Sequence, residues 1–219
     1  MTGQTITDKA RANMVDSQVR PNHVHDERVI AAMRALPREA FAPSGALPYA
    51  DADIALGQGR YLAAPMLTAR LAQLALAQNP AHVLVVGAGS GYLAAILSHA
   101  GVDVVALEAE SRLDTGALAA HAPKVERVSG PLEAGWPAGG PFDVILVEGA
   151  IGAVPPAWVA QLAKAGRVVA VLADDMAAQG GLGRAVLASP AGEGFAAVWQ
   201  FDTTARPLPA FRPAPAFAF

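Results

Sequence analysis

The sequence predicts an α/β protein whose central sheet is mostly parallel, doubly wound and closed by an antiparallel hairpin. Three observations predict it. The runs His82 to Val86, Val102 to Leu107 and Phe142 to Val147 are continuous in Val, Leu and Ile, as strands covered by helices on both faces must be. Helical patterns fall between such runs, so strand and helix alternate along the chain. Late in the chain the pattern changes. RAVLASPAGEGFAAVWQFDT, residues 184–203, holds two β-type runs split by a Pro/Gly turn, the signature of a hairpin and not of another strand–helix unit.

Taken in order, residues 8–36 and 66–78 read as helical. Between them lies PREAFAPSGALPYADADIALGQGRYLAAP, residues 37–65, a long irregular connector. Segments of that length inside a compact domain are usually functional or disordered, and its aromatics and glycines favour function. The first strand leads through GYLAAILSHAG, a short Ala/Leu helix stopping at Gly101, into the second, making one βαβ unit. A weaker strand over Lys124 to Ser129 precedes the loop GPLEAGWPAGGP. A helix from about Pro156 to Ala163 leads to the strand GRVVAVLA, residues 166–173. Beyond Ala205 the Pro/Phe-rich tail is expected to run extended on the surface or at a contact. The organisation expected is one structural domain: residues 1–80 a helical region and connector over the active site, 81–205 a cofactor-binding core, and 206–219 a tail.

Composition narrows the chemistry. The chain has 219 residues, a formal charge of −3, 53% hydrophobic and 16% charged residues, and no cysteine. Disulfides, thiolate catalysis and cysteine-based zinc sites are thereby excluded. Clustered Lys/Arg, which phosphate backbones require, is not visible, so nucleic acid is not an expected partner. The first twenty residues lack the apolar core of a signal peptide, and no apolar run reaches the roughly 18 residues of a membrane span. A cytoplasmic protein without membrane contact is expected.

The chemistry-bearing motif is G87-A-G89-S-G91, set between a predicted strand and a predicted helix, the context in which a Gly-rich string forms a nucleotide cradle. Its glycines permit a tight turn and close approach of a ligand, and the helix start offers N–H donors. Glu108 ends the next strand, 21 residues after Gly87, where a carboxylate can accept from both hydroxyls of a ribose. A dinucleotide fingerprint places its third glycine one residue later, where this chain has Tyr92. With a hairpin in place of a second βαβαβ half, the second mononucleotide of NAD would lack a seat. S-adenosylmethionine fits better. Ser90 lacks the upstream glycine of a hydrolase elbow, so it is read with Gly87, Gly89, Gly91 and Glu108 as cofactor-binding.

At these residues the chain resembles the protein-L-isoaspartate O-methyltransferases. VLVVGAGSGYLAAILS is similar to the core segment of that family. MVDSQVR and VIAAMRALPREAFAP, residues 14–20 and 29–43, are similar to its N-terminal helices and Pro-Arg-Glu-x-Phe-x-Pro signature. YADADIALGQGRYLAAP resembles the connector over its substrate site, and GWPAGGPFDVILVEGA its fourth-strand region. The likeness runs from about residue 14 to about 172. It implies methyl transfer from S-adenosylmethionine to the free carboxylate of isoaspartyl residues in damaged proteins or peptides. The resulting ester collapses to a succinimide. The alternatives are a fold kept as a binding or assembly module, and a methyltransferase with another carboxylate acceptor.

Three positions depart from the family pattern. Tyr61, Leu62 and Ala63 stand where the family has Thr-Ile-Ser, so the serine hydroxyl expected to hold substrate is replaced by Ala63. Val85 stands for the usual Glu, and Gly130, Pro131 and Leu132 for Gly-Asp-Gly, whose Asp accepts from the adenine amino group. At about 0.5–1.5 kcal/mol for each of the adenine and substrate contacts, binding weakens by roughly tenfold per site. Arg60, beside Tyr61, offers a partner for a substrate carboxylate in place of the lost hydroxyls, or is an exposed loop arginine. Asp51 and Asp53 either orient the connector or are a solvated turn pair. Glu148 follows the fourth strand on the ligand edge, and either fixes a ligand or faces water. His23 and His25 have no third ligand at recognisable spacing, so no metal is expected. Trp136, Trp158 and Trp199 read as buried or half-buried packing residues.

Overall fold

The computed structural model describes residues 5–109, 116–176 and 181–212. Its core is a seven-stranded sheet in the order β5-β4-β3-β6-β7-β8-β9. These strands are β3 His82–Val86, β4 Asp103–Glu108, β5 Glu126–Ser129, β6 Phe142–Ile151, β7 Leu162–Ala173, β8 Leu182–Ala191 and β9 Gly194–Thr204. The first five are parallel to one another, and β8 and β9 close the sheet as an antiparallel hairpin. The alternating strand pattern and the closing hairpin are thus those the sequence predicts.

The apolar runs are continuous because the sheet has two cores. Val83, Val85, Val104, Ala106, Val144 and Leu146 face one of them. Their strand neighbours Leu84, Val86, Val105, Leu107, Ile145 and Val147 face the other. Side chains alternate with a period of two, so a strand buried on both faces has no polar positions left in the pattern. The first core is covered by α1 Ile6–Met14, α2 Glu27–Ala35, α3 Pro65–Leu76 and α4 Tyr92–His99. After β3 the chain runs outward through α4, β4, α5 (Ala117–His121) and β5, then returns to lay β6 on the opposite side of β3. That reversal opens a crevice at the carboxyl ends of the strands, where open α/β sheets bind ligands.

Several predicted elements are corrected. Residues 8–36 are helical over most of their length, as expected, but in several pieces. After α1, which Thr5 and Asp8 open with a capping box, a π-helical turn over Val15–Val19 and a 3-10 turn over Arg20–Asn22 lead to His23 at φ 63°, and α2 starts anew on Asp26. Pro21 lacks the N–H that a continuing helix needs. The connector is not wholly irregular: a 3-10 turn, Arg38–Phe41, precedes a small antiparallel hairpin of β1 Ile54–Gly57 and β2 Arg60–Leu62. Gln58 and Gly59 turn it with φ of 53° and 71°, the positive values that two-residue hairpin loops demand.

The helix expected over Pro156 to Ala163 is a 3-10 turn, Pro156–Gln161, and β7 begins at Leu162. Tertiary bonds hold that turn. The Gln161 side chain accepts from the Trp136 N–H (2.8 Å) and donates to the Ala134 carbonyl (2.8 Å), while the buried Trp158 indole donates to the Glu133 carbonyl (3.0 Å). Trp199 is not half-buried but 58% exposed on β9. Of the two places expected for the tail, surface or contact, its start takes the contact. Pro207 bridges to Ala150 beside β6, the Leu208 N–H donates to the Ala150 carbonyl (2.9 Å), and the Leu208 side chain is fully buried. No helix of the described residues is long and apolar enough to cross a membrane.

Candidate active site

The crevice is built first by the turn after β3. The Gly87 and Ala88 N–H groups donate to the Leu107 carbonyl, which draws the turn towards β4. Gly87 has φ 71°, and a Cβ there would lie 2.9 Å from Arg60 Nη2 and 3.1 Å from a Leu208 methyl. Gly91, at φ 92°, starts α4, and a Cβ there would run into the Leu118 side chain. Both positions therefore need glycine on conformational and steric grounds. Glu108 reaches across from the end of β4, its Oε2 accepting from the Gly89 N–H (2.8 Å) and its Oε1 from the Ala109 N–H (2.9 Å). Carboxylate and glycine turn thus form one cradle, as the spacing predicts.

What fills the cradle is the chain itself. Arg60, on β2, turns inward and is 4% exposed. Its Nη2 and Nε fork onto Glu108 Oε2 at 2.9 and 3.3 Å, and Nη2 also donates to the Gly87 carbonyl. Arg60 is thus not exposed on a loop, and its carboxylate partner in this structure is Glu108. Leu208 lies beside it, against Gly87 and Gly149.

Next to the cradle is a small, partly open space of about 20 Å³ bounded by Asp53, Arg60, Tyr61, Ala63, Glu148 and Arg206 among others. That is room for about one water. Glu148, 4% exposed, does not face water. Burial pushes its carboxyl up to about 8, although Arg60 and Arg38 pull the other way, and its Oε2 has no hydrogen-bond partner among the described residues. Asp53 accepts from the Ala64 N–H (3.0 Å) and pairs with Arg206 (3.1 Å), whose guanidinium lies 4.8 Å from the centre of the Tyr61 ring. The connector hairpin and the segment after β9 are thereby tied to each other over the strand ends.

Ala63 offers its carbonyl instead of a side-chain hydroxyl. It accepts from Arg38 Nη2 (2.6 Å) and the Thr68 hydroxyl (3.2 Å). Arg38 is fully buried, donates also to the Pro48 carbonyl (2.7 Å) and stacks on Tyr92 at 4.9 Å. Val85 is enclosed in the first core. Pro131 opens a 3-10 turn, Leu132–Ala134, and has no side-chain acceptor. The Ser90 hydroxyl is buried and has no hydrogen-bond partner among the described residues. Asp51 is exposed, and the described residues hold no group of three His, Asp or Glu able to bind a metal ion. Arg38, Arg206 and Leu208 were missed in the sequence. The proline on either side of Leu208 marks an ordered extended segment, but nothing local says what it covers.

A doubly wound sheet with a glycine turn after β3, a carboxylate ending β4 and an antiparallel closing hairpin defines a Rossmann-like fold of the S-adenosylmethionine-dependent methyltransferase class. Within it the chain matches the protein-L-isoaspartate(D-aspartate) O-methyltransferase family over residues 9–179, and it belongs to that family. It is 41% identical over 167 residues to the protein-L-isoaspartate O-methyltransferase of Methylorubrum extorquens, covering 74% of this chain and 73% of that one. It is 33% identical over 168 residues to that of the archaeon Methanoculleus marisnigri, covering 74% and 76%. Among solved structures, a protein-L-isoaspartate O-methyltransferase superposes with a TM-score of 0.74 at 22% identity, over 93% of this chain and 66% of that longer one. A Plasmodium falciparum relative in complex with S-adenosyl-L-homocysteine superposes at 0.70 and 19% identity, over 93% and 98%.

The donor set fits the family's cofactor in its backbone. Gly87 has no Cβ where a ligand must approach closely, and Glu108 presents its carboxylate on the same side.

Proposed function

We propose that this protein transfers a methyl group from S-adenosylmethionine to the free carboxylate of an isoaspartyl residue in a peptide or protein. The observation that carries the reading is the family match over residues 9–179, which spans both the cradle and the connector above it. Bound there, the donor supplies an electrophilic methyl carbon on a sulfonium. Gly87, Gly89 and Gly91 let it approach the backbone, and Glu108 accepts from its ribose hydroxyls.

The acceptor needs no base. A carboxylate with an ordinary pKa near 4 is already ionised at neutral pH. The task left to the chain is to hold acceptor oxygen, methyl carbon and sulfur in line, and orientation of this kind supplies roughly 7–11 kcal/mol. Tyr61, the Ala63 carbonyl and the Asp53–Arg206 pair surround the acceptor's side of the crevice. Positioning residues of this sort slow the reaction when removed without abolishing it. Burial raises the Glu148 carboxyl to about 8, which favours its neutral form and so lessens repulsion of an incoming carboxylate.

Residues 1–80, 81–205 and the tail act as one domain in this reading, and the cysteine-free sequence suits the cytoplasm. Incubating the protein with methyl-labelled donor and two peptides differing only in aspartyl linkage tests it. The isoaspartyl peptide is expected to gain a base-labile methyl ester and its aspartyl twin none. Equal labelling of both, or of neither, overturns the proposed acceptor.

A further inference from the structure

We propose that Arg60 and Leu208 form an internal stopper that holds the methyl donor's cradle closed, and that the donor binds only when the β1–β2 hairpin and the 205–209 segment withdraw together. The proposal rests on the reading that S-adenosylmethionine is the cofactor. The chemistry of the stopper matches that of the guest it replaces. The cradle offers acceptors, the Gly87 carbonyl and the Glu108 carboxylate, and a ribose meets the second with hydroxyl donors. Arg60 has donors and no acceptor, and it places one nitrogen on both groups. Gly87 lacks a Cβ where a ligand needs close approach, yet the atoms pressed against it are Arg60 Nη2 and the Leu208 methyls. Arg60 thus supplies the polar half of the contact and Leu208 the apolar half.

The two parts of the stopper come from segments far apart in the chain, the connector and the stretch after β9, and are joined outside the sheet. Asp53 pairs with Arg206 at 3.1 Å, Arg206 lies over Tyr61, and Pro209 packs against the turn at Gly59. Lifting the hairpin therefore pulls on the tail. Withdrawal costs the Arg60–Glu108 pair, and the ribose hydroxyls that replace it recover part of that cost. A site competent in only a fraction of the molecules binds with an affinity lowered by that fraction.

The test is a calorimetric titration of S-adenosylhomocysteine into the wild-type chain, Arg60→Ala and Leu208→Ala, with hydrogen exchange at the Leu208 amide measured before and after ligand. Circular dichroism confirms that each variant is folded. The stopper requires tighter binding in at least one variant, about tenfold or more, and faster exchange of the Leu208 amide when the wild type is saturated. Wild-type binding that neither variant improves, with the Leu208 amide unchanged by ligand, overturns the stopper and leaves the cofactor reading intact. Absence of binding in all three folded proteins overturns the cofactor reading and the stopper with it.

Discussion

The guanidinium of Arg60 rests on the carboxylate of Glu108, Nη2 to Oε2 2.9 Å, across 48 residues of sequence. The pair is almost enclosed, with side-chain exposures of 5% and 12%. In the free protein it ties the connector to the sheet. Arg60→Ala is expected to lower unfolding free energy by about 2–3 kcal/mol, somewhat below the roughly 3–5 kcal/mol of fully buried pairs, measured by urea unfolding without ligand. A residue with only a structural role would weaken ligand binding when removed. The stopper requires that this variant or Leu208→Ala, though less stable alone, be tighter towards the donor.

Glu148 makes stability depend on pH. Its carboxyl is raised from 4.5 in the unfolded chain to about 8 in the fold, chiefly by burial, against the pull of Arg60 and Arg38 and with Glu108 adding to the rise. Between those two values the folded state holds the proton and the unfolded state does not, so stability falls as pH rises from about 4.5 to about 8 and levels off above. Glu148→Gln is expected to flatten this decline, with little change near pH 5 and a gain near pH 9. Each unit of displaced pKa is worth about 1.4 kcal/mol, so urea unfolding at the two pH values resolves it. A parallel shift at both values contradicts the assignment.

Arg38 is a buried fastener for the connector. Replacing it with Met leaves the Pro48 carbonyl without its donor and removes one of two donors from the Ala63 carbonyl. At roughly 1.5–3 kcal/mol per bond from a charged donor, the loss is expected to be about 3 kcal/mol or more. Limited proteolysis should then cut between residues 42 and 53 faster than in the wild type.

Gly91 serves the start of α4. Gly91→Ala forces an L-residue to φ 92° and drives its Cβ into Leu118. The conformational part costs roughly 1–2 kcal/mol and the overpacking roughly 1–3 kcal/mol. Thermal unfolding should show the sum, and a variant as stable as the wild type contradicts the turn's geometry.

The parts of this fold legible in the sequence are those decided by neighbours. Val83 to Val86 announce a doubly covered strand, Gly87 to Gly91 a tight turn into a helix, and the break at Ala191 to Gly194 a hairpin. Glu108 was legible because its distance from Gly87 is set by one βαβ unit. Arg60 is legible as a functional candidate but its pairing with Glu108 is not, since that contact depends on how a 29-residue connector, residues 37–65, folds over the sheet. Leu208 gave no signal, because a leucine between prolines reads alike whether it lies on water or in a crevice. The turn at Pro156–Gln161 was misread as a helix because the bonds deciding it come from Trp136, Ala134 and Glu133, some 25 residues away.

A crystal structure of the protein grown with S-adenosylhomocysteine tests the central claim most directly. The account requires the ribose on Glu108, the ligand against Gly87 and Gly89, and the Arg60 guanidinium and Leu208 displaced from both. A ligand bound elsewhere, or at the strand ends with Arg60 still on Glu108, contradicts it.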